Sequence, residues 1–119
     1  MKHEQAAYLA PGLADAGGQV AQLRQVLALV EELAGHAPMP AFGAGLDQGA
    51  RIKDFYARAL PIDQRRFDLH AADTAHWAAA GLQALLQLEE QGRPCRAAAR
   101  VLAERLARAL AELERTVRA

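Results

Sequence analysis

Apolar residues recur along this chain with a period near 3.6, and the stretches that keep the period predict four helices. Val20, Leu23, Leu27, Val30 and Ala34 follow one another at steps of three and four, with Val26 and Leu33 beside them. Such spacing places them on one face of an amphipathic helix over about 18–35. Gly35 stands where a left-handed residue closes a helix, and Pro38 follows shortly after. Residues 36–45 read as loop, because two prolines remove backbone donors and the glycines favour irregular dihedrals. Asp47 can cap a second helix over 47–60, where Ile52, Phe55, Tyr56, Ala59 and Leu60 share a face. Pro61 ends or kinks that helix, or equally serves as the first residue of the next one.

The third helix is the longest, over 61–91, and Gly92 stops it. Pro94 starts the fourth, over 94–118, with a core stripe of Cys95, Leu102, Leu106, Ala109, Leu113 and Val117. Its other side reads Arg100, Glu104, Arg108, Glu112 at steps of four, a solvated charged ladder in which each pair contributes a few tenths of a kcal/mol. Residues 1–17, broken by Pro11-Gly12 and Gly17-Gly18, read as a flexible lead-in. Short loops between long helices favour antiparallel neighbours. The expectation is an all-α, up-and-down bundle of four helices in a single domain spanning 1–119.

Composition sharpens that picture. The chain has 29 alanines and 17 leucines against nine Val, Ile and Thr together, which favours helix and excludes an all-β fold. High apolar content with zero net charge excludes disorder. No apolar run approaches the roughly 20 residues that a membrane span needs, and the N-terminus does not read as a signal peptide. The single Cys95 cannot form an internal disulfide, so a cytoplasmic location is expected. Charge is uneven: net −3 over 1–50, +2 over 51–68, −3 over 69–92 and +4 over 93–119. Arg96, Arg100, Arg108 and Arg115 could meet nucleic acid through the last helix. A dedicated binder carries a basic domain as well as a basic patch, so nucleic acid is not an expected partner.

The candidate chemistry lies on the third helix, which has two packable sides. Ala71, Ala75, Ala78, Ala79, Leu82, Leu85 and Leu86 gather on one. Arg66, His70, Asp73, Trp77, Ala80 and Ala84 form a second continuous stripe. A two-faced helix is central or lies at an oligomer interface, and the area of Trp77 favours covering this stripe. Once covered, Arg66, His70 and Asp73 need mutual satisfaction. His70 and Asp73, three apart, can hydrogen-bond as an oriented general base does, and Arg66 could hold an anion. The simpler reading is a polar network that fixes helix register at an interface. Tyr56 and His76 border the same region.

Other chemistry finds little support. His70 and His76 are six apart, about 120° round a helix, so they cannot share one metal ion, and no metal or other cofactor is expected. With no serine in the chain there is no serine triad, and Cys95 reads as a small core hydrophobe. No Gly-rich phosphate loop is present, and the Lys-Gly pair that follows a phosphotransfer histidine is missing after His70 and His76. The run Arg65-Arg66-Phe67-Asp68-Leu69-His70 is similar to the R-x4–6-H motif of HEPN-type ribonuclease domains. Those are compact all-α domains whose Arg and His act at a dimer interface. The likeness covers six residues of 119 and has Arg66 where that family favours Asn, Asp or His. It implies, as an alternative, a small-ligand or RNA-processing site built from Arg66, His70 and Asp73. The leading expectation is a non-enzymatic interaction or adaptor module that forms a homodimer through the second stripe and can take a protein partner, with Tyr56, Arg66, His70, Asp73, His76 and Trp77 at the interface.

Overall fold

The computed structural model describes residues 13–35 and 46–118, with side chains described for 17–35 and 50–118. Among the described residues there are four helices and no strand: α1 (Leu13–Leu33), α2 (Leu46–Arg58), α3 (Pro61–Glu90) and α4 (Arg96–Arg118). They form the expected all-α bundle.

Each boundary has a local cause. Gly35 ends α1 at φ +78°, its N–H donating to the Glu32 carbonyl at 3.0 Å. Gly92 ends α3 at φ +71° in a double closure: its own N–H reaches Glu89 O at 3.0 Å, and that of Arg93 reaches Leu88 O at 2.9 Å. This is the glycine-terminated motif that leaves few carbonyls orphaned. Pro61 settles its ambiguity in favour of α3, as the first helical residue after an extended Leu60. The Gln64 side chain then reaches back, donating to the carbonyls of Tyr56 at 2.9 Å and Ala59 at 3.2 Å, and so closes the end of α2.

Three boundary expectations change. α1 begins at Leu13, so Gly17 and Gly18 are helical and the flexible lead-in is shortened; residues 1–12 lie outside the described residues, as does the whole loop expected at 36–45. α2 begins at Leu46, which puts Asp47 inside its first turn instead of ahead of it. α4 begins at Arg96, and Cys95 precedes it, its carbonyl accepting from Ala99 N–H at 2.8 Å.

Helices α1, α3 and α4 pack mutually, and α2 packs on α1 and α4. All five residues of the α1 stripe are buried, and they meet Leu106, Leu110, Leu113 and Val117 of α4. Gly35 beside Arg96 and the Arg24–Glu114 ion pair at 3.1 Å set α1 antiparallel to α4. The molecule measures 47 × 36 × 21 Å. A helix of α3's length is about 45 Å long and each helix is about 10 Å across, so the bundle is a slab two helices thick that α3 traverses end to end. In such a slab every helix keeps one side toward its neighbours and one toward solvent.

Candidate functional site

The inner side of α3 is set by Phe67, Ala71, Thr74, Ala78 and Leu85, all buried. Phe67, 2% exposed, closes an aromatic cluster with Phe55 (centroids 5.5 Å apart) and Tyr56 (6.1 Å). Thr74 is buried because its hydroxyl donates to the His70 carbonyl at 2.7 Å, which satisfies the polar group within its own helix. The alanine-and-leucine stripe read from the sequence is therefore rotated: Ala79 and Leu86 are exposed, while Phe67 and Thr74 take the inner line.

Antiparallel α4 runs along one flank of α3. Glu112 faces His70, Arg105 faces Trp77 and Leu102 faces Gly81, so the pairing steps evenly down both helices. The pair is tight at Gly81, where an added Cβ would stand 2.8 Å from Leu102 Cδ2. A residue with any side chain there must displace Leu102.

The second stripe is divided by this arrangement. Trp77 is half-buried against its own chain, with the Arg105 guanidinium 4.0 Å from the ring centroid, a stacked cation–π contact. His70 is half-buried, and its Nε2 lies 3.6 Å from Glu112 Oε2. Arg66, Asp73, Ala80 and Ala84 are exposed, as is His76. The expected His70–Asp73 hydrogen bond is absent: α4 brings Glu112 to the imidazole while Asp73 turns to solvent. Arg66, His70 and Asp73 thus form no common network. Among the described residues no three His, Cys, Asp or Glu side chains converge as metal ligands do.

Arg66 and His70 do share a cleft of about 590 Å³, bounded by Phe55, Arg58, Leu60 and Asp63. One of its two arginines, Arg58, is engaged. Arg58 donates through Nε to Asp54 at 3.2 Å and through Nη2 to the Val117 carbonyl at 2.6 Å, tying α2 to the end of α4. Arg65, the first residue of the R-x4–6-H run, is exposed and lies about 140° from His70 round the helix. The two motif residues therefore face different ways.

Tyr56 sits at the mouth of the aromatic cluster and donates its hydroxyl to Asp68 Oδ1. Burial first, and then the hydrogen bond and negative charge of Asp68, push its ionisation well above the ordinary tyrosine value. Sequence reasoning missed Asp68, Gln64, Arg105 and Glu112. The first two were findable, because a hinge proline brings residues on either side of it together. The other two depend on the α3–α4 register.

The remaining side of α3 faces solvent along its whole length. Ile62 (56% exposed), Leu69 (62%) and Leu86 (47%) lie on it, with Ala72, Ala79 and Ala80 between them. At about 100° per residue they fall within a stripe roughly 120° wide. It adjoins the sequence-derived stripe at Ala80 and is centred about 100° from it, on the side away from α4. No helix among the described residues is long and apolar enough to cross a membrane. No protein-family model matches the chain, and neither a curated protein nor a solved structure is detectably similar to it.

Proposed function

We propose that this protein is a non-enzymatic helical interaction module that self-associates, with the outer side of α3 as its surface. The observation that carries the reading is the spacing on that side: Ile62, Leu69 and Leu86 project from an alanine-rich helix, three of the six large apolar side chains exposed among the described residues. Residues 62, 69, 76 and 83 and residues 65, 72, 79 and 86 alternate at heptad positions, the pattern by which one helix packs along another. A second copy of this chain is the occupant that fits, because the outer side of α3 carries Arg65 near one end and Glu90 at the other, complementary to each other when one copy is reversed. Asp73 is exposed and makes no hydrogen bond to His70, and Arg65 faces away from it, so neither catalytic arrangement read from the sequence is assembled, which favours binding over catalysis. A reducing, cytoplasmic setting suits a chain whose single cysteine packs beside the core.

With few apolar layers the dimer is weak, with a dissociation constant on the order of 10–100 μM. Sedimentation velocity from 10 μM to 1 mM measures it. Wild-type chain is expected to pass from monomer to dimer over that range, and a Leu69→Glu/Leu86→Glu double variant to remain monomeric with an unchanged melting temperature. A wild-type monomer at 1 mM overturns the reading.

A further inference from the structure

From the order of charged and apolar groups along α3, we infer that two copies of this chain pair antiparallel about a two-fold axis passing between Trp77 and Ala78, with Arg65 opposite Glu90 and Leu69 opposite Leu86 of the second copy. The inference rests on the self-association proposed above and specifies its geometry.

The register follows from the helix itself. In an antiparallel pair the two apolar heptad positions meet each other across the seam. If positions whose numbers total 155 are opposed, Leu69 meets Leu86, Arg65 meets Glu90, Ala72 meets Gln83 and His76 meets Ala79, and the two-fold repeats each layer. Leu69 and Leu86 are then paired with each other and Arg65 with Glu90, while Ile62 falls opposite Arg93, beyond the end of α3. In the layers nearest the axis each longer side chain, His76 or Gln83, meets an alanine, Ala79 or Ala72, which lets the two exposed helices approach. Asp73 falls on the flank beside Ala80 of the other copy, so its carboxylate stays at the wet edge instead of being buried without a partner. Sliding by one heptad in one direction pairs Ile62 with Leu86 but sets Leu69 against Ala79 and Arg65 against Gln83, which loses the charge match. Sliding the other way sets Leu69 against Arg93, beyond the end of α3, and loses both the apolar pairing and the charge match, so only the register totalling 155 opposes Arg65 to Glu90. Parallel pairing places Arg65 against Arg65 and Glu90 against Glu90, a repulsion at both ends. The surface is also free to be used: Trp77 and His70 are already engaged by α4, and none of the stripe residues participates in the core.

Spin labels distinguish the arrangements. In the full chain carrying Cys95→Ala, single cysteines are introduced at exposed Ala80 or Gln87 and labelled. The antiparallel register sets the two copies of residue 80 about 12 Å apart and the two copies of residue 87 about 30 Å apart. A parallel pair gives short distances at both. Charge exchange is the second arm. Arg65→Glu is expected to weaken association about tenfold, and Arg65→Glu/Glu90→Arg to return it to within about twofold of wild type. Dimers with equal distances at both sites, or with no rescue by the double exchange, overturn the register while leaving self-association intact. A chain that is monomeric throughout overturns both.

Discussion

The two sides of α3 are built from nearly the same alphabet and behave differently. Phe67 and Leu69 are two residues apart on one helix, yet the first is 2% exposed and the second 62%. Ala71 and Ala78 are sealed under α1 and α4, while Ala72 and Ala79 lie open. What separates them is angle round the axis. Apolar character alone does not assign a residue to the core in a slab two helices thick, because the outer side of the longest helix can be equally apolar and serve contact between molecules.

The widest test of this contrast is substitution at the neighbouring pair. Phe67→Ala removes a ring packed on Phe55 and Tyr56 and is expected to cost about 3–5 kcal/mol in chemical denaturation. Leu69→Ala, measured at a concentration where the chain is monomeric, should shift stability by no more than about 0.5 kcal/mol. Equal effects would mean that the outer side is packed after all. Next in size is the α4 flank. Gly81→Val drives a branched side chain into Leu102 and should cost about 1–3 kcal/mol, whereas Ala80→Val, one residue away and exposed, should cost about 0.5 kcal/mol from helix propensity.

The smallest expected effect is a change of slope with pH. Tyr56 stays protonated in the fold at pH values where the unfolded chain has ionised it, because its folded value lies above the ordinary 10.0. Its contribution is therefore fully present below about pH 10 and is lost as the pH rises above that point. Denaturation at pH 9 and pH 11 should show wild type losing more stability over the interval than Tyr56→Phe. Identical losses would mean that Asp68 does not hold the hydroxyl.

The helical architecture was legible because its signals are local. The α1 stripe, Val20 to Ala34, is buried residue for residue, and Gly35 and Gly92 stop their helices at positive φ as their positions imply. The α4 ladder of Arg100, Glu104, Arg108 and Glu112 is exposed as expected, though Glu112 turns across to His70. Leu60, placed on the α2 core face by periodicity, is 65% exposed, because the chain leaves the helix at Arg58 to make the Pro61 joint. The candidate site was legible only in part. A wheel drawn for α3 alone shows two apolar sides without saying how α4 lies against them. It is that register that sends Trp77 to Arg105, gives His70 to Glu112 and leaves Asp73 outside.

The tight stop at Gly92 also bears on the order of events during folding. It turns the chain back within a few residues, so that Leu102 reaches Gly81 and Arg105 reaches Trp77 across short stretches of sequence. Contacts this local close with little loss of chain entropy, while the pairing of α1 with α4 spans 90 residues between Arg24 and Glu114. The expectation is that the carboxy-terminal hairpin assembles before the amino-terminal helix docks on it, and φ-values higher at Leu102 than at Leu27 would bear this out.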